Sequence, residues 1–165
     1  MKKLIIMALL LMPVSLFAQK FGHFNSATII QAMPEYTKGQ QEIETMRKQF
    51  EDDLKRQQDE FNKKTQEYQA QHDSLPTNIQ QRREQELSDM YQRIQQNYQD
   101  NQSALQKASS EKMQAITTKV LDAVKAIGES DGYVYIMDVT GGIPYISTTL
   151  STDVTAKIKT KLGIK

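Results

Sequence analysis

No Pro or Gly interrupts the chain between Gln40 and Leu75, or again between Thr77 and Ile127. The break between those two runs is short, His72-Asp73-Ser74-Leu75-Pro76-Thr77. On the first run apolar residues recur as Ile43, Met46, Phe50, Leu54, Phe61, Tyr68 and Leu75; on the second they recur as Leu87, Tyr91, Ile94, Tyr98, Leu105, Ile116, Val120, Val124 and Ile127. Steps of three, four and seven put one narrow stripe on each helix. The pattern predicts an antiparallel helical hairpin from Glu35 to Ile127 with its tip at 72–77. The opening steps of the first stripe sit closer to an eleven-residue than a seven-residue period, so the supercoil is expected to be weak. As helices, 35–74 and 76–127 would measure about 60 and 78 Å, so the returning arm overruns onto whatever lies at the base. Its Ala-rich, more apolar second half agrees with close packing there, and the distal stripe is thinner.

The ends of the chain differ from this middle. Lys2 and Lys3 precede the apolar run Leu4–Leu11, and Pro13 and a small residue, Ala18, follow it. A charged start, a short apolar core and a small residue describe a secretory signal peptide over 1–18, cut after Ala18 and too short to span a bilayer. The chain has no Cys, which excludes a lipid-modified N-terminal Cys and a disulfide framework. Without Lys2 and Lys3 the 21 basic residues become 19, against 20 acidic. A near-neutral chain has no field to recruit nucleic acid. A mature chain this size, with most of its length in a hairpin, buries little core alone, which argues for self-association through the base.

The base, 19–34 and 128–165, is expected to be β-rich. Lys20–Asn25 reads as an extended segment. Ser26 is the expected N-cap of a short helix, Ala27–Met33, that stops before Pro34. Gly128 is the expected cap of the long helix. Tyr133–Met137 is the strongest strand signal, apolar on both faces and so expected to be central. Gly141-Gly142 is expected to turn it into a hairpin with Pro144–Ser147, and a last helix is expected over Asp153–Leu162. Phe24, Tyr133, Val134, Tyr135, Ile136, Met137, Tyr145 and Ile146 are the expected oligomer core.

Enzymatic signals are absent. His23 and His72 are far apart and lack ligand-spaced partners, and no catalytic, cofactor or metal residue is assigned. Gly141-Gly142 lacks the Lys and Ser/Thr of a phosphate loop. The basic pairs Lys63-Lys64 and Arg82-Arg83 are the candidate anion contacts, although Asp59, Glu60, Glu84 and Glu86 intersperse them at ion-pairing distance. Distal apolar residues exceed what a two-helix seam needs. Tyr68, Leu75, Ile79 and Met90 are the candidate contacts for a partner, since Met suits adaptable surfaces; Leu87, Tyr91, Ile94 and Tyr98 are assigned to the seam.

These residues, in order, resemble the Skp/OmpH family of periplasmic chaperones. The likeness rests on the exported start, Phe21-Gly22-His23-Phe24-Asn25-Ser26, Ile30-Gln31-Ala32-Met33-Pro34-Glu35-Tyr36, Gly132–Asp138 and Asp153-Val154-Thr155, and it covers Gln19 to Lys165. It implies an α+β homotrimer in which three bases join into a small β-barrel and three helical tentacles enclose a cavity for unfolded outer-membrane proteins, held without ATP. The arms depart from the family's basic character, with 14 basic and 16 acidic residues from Glu35 to Ile127. That leaves shape and apolar contact, more than capture of acidic clients, membrane or lipopolysaccharide, to carry binding. The alternatives are a structural or adaptor coiled coil of the envelope, and a lipid- or peptidoglycan-associated factor resting on the two basic pairs.

Overall fold

The computed structural model describes residues 19–164; the expected signal peptide lies outside them. The order is β1 (Lys20–Phe24), α1 (Ser26–Ala32), α2 (Pro34–Gln71), a 3-10 turn (His72–Ser74), α3 (Thr77–Asp131), β2 (Tyr133–Asp138), β3 (Ser151–Asp153) and α4 (Thr155–Lys161). Helices α2 and α3 form the hairpin. Their 38 and 55 residues correspond to about 57 and 82 Å, so α3 overruns α2 and enters the base.

The start of α1 differs from the sequence expectation by one residue. Asn25, with extended backbone angles, is the N-cap, and its side chain accepts from Thr28 N at 2.9 Å. Ser26 is already helical; its N–H donates to Asp138 Oδ1 at 3.2 Å. An Asn carbonyl oxygen reaches the first free helix amides at least as well as a Ser hydroxyl, so the earlier residue takes the role. The stop before Pro34 stands as expected: Met33 has ψ 128° and is 2% exposed, and Pro34 opens α2. The pre-proline residue is forced out of helical angles, and this separates α1 from the arm helix.

At the tip, Leu75 N donates to His72 O at 3.2 Å, while Pro76 O accepts from Ile79 N and Gln80 N. The Gln80 side chain closes the turn by donating to His72 O (2.8 Å) and Leu75 O (3.1 Å). At the far end, α3 runs through Gly128 to Asp131. Gly132 at φ 70° is its cap, its N–H returning to Gly128 O. The left-handed conformation that makes glycine useful is therefore needed at 132 and not at 128, where the chain stays helical.

The sheet corrects three further expectations. Its order is β2-β1-β3, with both pairings parallel. Tyr133–Asp138 is thus an edge strand, and β1 is central. Parallel partners need a long crossover, and the hairpin itself supplies one between β1 and β2. The turn at Gly142 (φ 81°) forms, with Gly142 N donating to Val139 O at 3.0 Å. Residues 144–147 form no strand after it. The segment instead passes along the face of the sheet that carries Phe21, His23, Tyr135 and Met137, so that Ser151–Asp153 pairs on the other side of β1. The last helix is shorter than expected, because Asp153 belongs to β3 and its Oδ1 accepts from Thr155 N at 2.8 Å to start α4.

One core cluster sits at the base: Phe24, Ile29, Met33, Ile116, Val120, Ala123, Ile127, Val154 and Ile158. It draws on β1, α1, the lower part of α3 and α4 and on Met33 and Val154 at element junctions, and Tyr36 of α2 and Tyr133 and Ile136 of β2 pack against it. Each buried aliphatic side chain there contributes about 1.5–3 kcal/mol relative to exposure. By contrast α2 has no buried residue, and on the distal part of α3 only Met90 and Ile94 are buried, each 8% exposed.

Candidate functional site

Two surfaces of the described residues expose apolar groups, one on the base and one on the arm. On the base, side-chain alternation sends Gly22 and Phe24 of β1 toward the core and Phe21 and His23 outward. Across from them in register stand Tyr135 and Met137 on β2, and Ser151 and Asp153 on β3. Phe21 and Tyr135 stack with centroids 4.7 Å apart. A hydrogen bond of 2.8 Å joins His23 Nδ1 and Ser151 Oγ. The loop residues Ile143, Tyr145, Ile146 and Leu150 flank this face and leave an open hollow of about 390 Å³. Gly22 fits its place closely: a Cβ there would lie 3.1 Å from the Tyr133 ring.

The residues expected to form the oligomer core therefore divide. Val134, Tyr135, Met137 and Tyr145 are 59, 51, 47 and 81% exposed, and Ile146 is half-buried. Phe24 is a correction: at 3% exposure it belongs to the protomer's own core, and Tyr133 and Ile136 pack half-buried against that core. The strand is two-sided because one side faces α3 and the other faces outward.

Below this face, Asp138 fastens β2 to the start of α1. Its Oδ1 accepts from Ser26 N (3.2 Å), Thr140 N (3.0 Å) and Thr140 Oγ1 (2.8 Å). Burial works against its charge, but these donors outweigh it and hold the carboxyl below its ordinary pKa. The same logic holds at Asp153, where burial is outweighed by the Thr155 donors and by nearby His23.

On the arm, polar ties cross the seam. Lys119 Nζ donates to Glu35 at 2.9 Å, Lys112 pairs with Glu42, Lys64 with Glu86, and Asn97 Nδ2 donates to Gln57 at 2.8 Å. The lysine hydrogen bonds lower the pKa of Glu35, Glu42 and Glu86. Tyr68 donates to Glu84 at 2.7 Å, and that bond pushes the phenol up to about 12.

The candidate arm contacts fare unevenly. Met90 is 8% exposed, a correction: it turns into the seam beside Ile94. Tyr68, Leu75 and Ile79 are half-buried near the tip. Tyr98, assigned to the seam from spacing, is instead 52% exposed. Tyr91 keeps a seam contact, its ring 6.2 Å from that of Phe61 across the hairpin, while remaining 55% exposed, and Met113 and Leu121 are exposed too. Met90 and Ile94, four apart, take the seam, which leaves Tyr91 one residue round the helix and Tyr98 seven beyond it; the spacing 87, 91, 94, 98 fits a stripe equally well, and the crossing of the two helices decides between them. The basic pairs do not converge on an anion site. Lys64 and Arg83 both bind Glu86, Lys63 lies 3.9 Å from Glu67, and Arg82 is exposed. No helix among the described residues is long and apolar enough to cross a membrane.

A long two-helix arm mounted on a small parallel sheet defines the class of this molecule. The family model for outer membrane protein (OmpH-like) matches residues 20–162. The chain belongs to the OmpH-like family. A search of curated proteins returns no match. Among solved structures, the chain is similar to a Caulobacter crescentus CB15 protein assigned as an outer membrane chaperone, OmpH-like, with a TM-score of 0.74 at 10% identity over 87% of this chain and 83% of that one. At that identity the likeness concerns the fold.

Proposed function

We propose that the chain is an ATP-independent holdase chaperone, exported to the periplasm, that keeps unfolded outer-membrane β-barrel proteins from aggregating. In this reading three bases associate through their sheets into a small β-barrel, and the three arms enclose the client. The observation that carries the reading is the division of the molecule. A packed base with two open strand edges and an outward apolar face holds up an arm that stays solvated along most of its length. Open edges seek a partner, and β2 and β3 are both edges here. An exposed apolar sheet face of this kind is a contact surface. An arm that spends little of its apolar surface on its own seam keeps Tyr98, Met113 and Leu121 exposed for a client, together with the outer part of Tyr91, whose ring also meets Phe61. Many weak contacts presented together give useful holding without one essential residue.

The test is dilution of a urea-unfolded outer-membrane barrel protein into the chain from Gln19 onward, followed by light scattering and native mass spectrometry. The expected result is suppressed scattering and a trimer carrying one client chain. A trimer that stays empty and leaves aggregation unchanged would move the assignment to a structural adaptor, and a monomer would remove the cavity altogether.

A further inference from the structure

Charge is distributed unequally around α3. Between Gln85 and Leu121, Glu86, Lys112 and Lys119 turn onto the seam, where they pair with Lys64, Glu42 and Glu35. Asp89, Arg93, Asp100, Lys107 and Glu111 follow on the side beyond the seam. At about 100° per residue these charges all fall within roughly 140° of the helix circumference. The remaining arc holds only Gln, Ser, Thr and apolar residues; Ile116 and Val120 within it are buried in the base core, while Tyr91, Tyr98, Gln102, Met113 and Leu121 are exposed. Along its lower half this arc forms one wall of an open trough of about 1050 Å³, completed by Ile43 and Arg47 of α2. Arg47 is the one charged residue lining it, and Glu44 and Glu51 already hold its guanidinium.

We propose that this uncharged sector of α3 is the client-binding surface of the arm, and that it takes extended, weakly charged stretches of unfolded polypeptide by backbone hydrogen bonding and aromatic contact. The inference rests on the holdase reading and specifies its chemistry. A folded partner surface carries many charges, and each one laid on this sector would lose water without gaining a counter-ion. A second helix from another copy would need an apolar residue at nearly every turn; here single large apolar groups stand among Gln and Ser. An extended chain meets neither objection. Every non-proline residue of it offers one amide donor and one carbonyl acceptor. A Gln side chain offers both, which makes it indifferent to client sequence, and Tyr and Met add adaptable apolar contact. From Gln85 to Leu121 the sector runs about 54 Å at 1.5 Å per residue. That spans about 16 residues of extended chain at 3.4 Å each, more than one transmembrane β-strand of about 9–11 residues.

The experiment measures the dissociation constant of a urea-unfolded outer-membrane barrel protein for the assembled chain at low and high salt. Two double variants are compared with it: Gln102→Glu/Ser109→Glu on the uncharged sector, and Ala104→Glu/Ala115→Glu on the charged side. All four positions are exposed, and circular dichroism and native mass confirm the fold and assembly of each variant. The wild-type constant is expected to change less than about threefold from about 50 to 500 mM NaCl, since screening acts on charge pairs. The first variant is expected to bind at least about tenfold more weakly, and the second within about twofold of wild type, because only the first desolvates charge against the client. Equal effects of the two variants, or a wild-type constant that rises more than about tenfold with salt, would overturn the inference and leave the holdase reading standing. A changed oligomeric mass in the first variant alone would reassign the sector to contact between copies, which also overturns it. Failure of the wild type to hold any client would remove the holdase reading, and this inference with it.

Discussion

The base and the arm solve the same problem by different means. In the base, short elements from both ends of the chain bury Phe24, Ile29, Met33, Val120, Val154 and Ile158 at 3% exposure or less. Their stability comes from apolar area removed from water. The arm has far more chain and almost no core: α2 buries nothing fully. It is held by its own helical hydrogen bonds, by the part-buried Asn97–Gln57 bond and by ion pairs such as Lys119–Glu35, which are worth little because they are solvated. The difference teaches where rigidity is placed. The base fixes where the arm points, and the arm keeps its surface available.

The comparison can be broken first at the base. Ile158 is fully buried and touches no solvent, so Ile158→Ala removes both transfer energy and packing. A loss of about 2–5 kcal/mol is expected in urea unfolding. A loss below 1 kcal/mol would mean that the base is no better packed than the arm. Next in size is Asp138→Ala, which strips one acceptor from Ser26 N, Thr140 N and Thr140 Oγ1 at once. About 1–2 kcal/mol is expected, the range for an uncapped helix start. The pH dependence follows in sign. Asp138 has a folded pKa below its unfolded one, so its contribution is complete above the unfolded carboxylate value of about 3.9 and fades as pH falls through the folded one. The Ala variant should show a smaller loss of stability with acid than the wild type.

The junction of base and arm gives a smaller, signed pair. Gly132 sits at φ 70°, so Gly132→Ala is expected to cost about 1 kcal/mol. Gly128 is helical, and a Cβ there would meet Ile136 Cδ1 at 3.7 Å, an ordinary contact. Gly128→Ala is therefore expected to stabilise by about 0.4–1 kcal/mol. Thermal melts of the two variants read the sign directly, and a destabilised Gly128→Ala would place the helix end where the sequence alone suggested it.

That junction also shows what the sequence could and could not tell. The hairpin was legible because periodicity over tens of residues is a local property, and its one break is marked by Pro76. The stop at Met33 was legible because Pro34 acts on its immediate neighbour. Gly128 and Gly132 are both plausible ends by composition, and only the φ that the path into β2 demands separates them. Strand order was not legible at all. Val134, Tyr135 and Met137 look like core by type, and nothing local reports that β1, a hundred residues earlier, occupies the centre of the sheet. The candidate surface was half legible. Met90 and Tyr91 are adjacent, and which of them enters the seam depends on the crossing of two helices, whereas the clustering of charge on one side of α3 can be read from numbering alone.

The smallest expected effect tests the arm by its own rule. If solvated ties such as Lys119–Glu35, Lys112–Glu42 and Lys64–Glu86 hold the seam, salt should loosen the arm and spare the base. Amide hydrogen exchange at Gln57–Lys64 and Met90–Asn97 is expected to quicken about twofold to fivefold between low salt and about 1 M NaCl, where the screening length shrinks to about 3 Å. Amides of β1 and the Ile116–Ile127 stretch should change much less, since apolar burial does not weaken with screening. Acid should act like salt on the arm. Glu35, Glu42 and Glu86 have folded pKa values below the ordinary carboxylate value, lowered by hydrogen bonds from Lys119, Lys112 and Lys64 respectively. Their ties are complete above the unfolded value of about 4.3 and are lost as pH falls through the folded ones. An arm whose exchange ignores both salt and acid would have to be held by Met90, Ile94 and the half-buried stripe instead. Its seam would then be a sparse version of the base, and the contrast between the two regions would be one of degree.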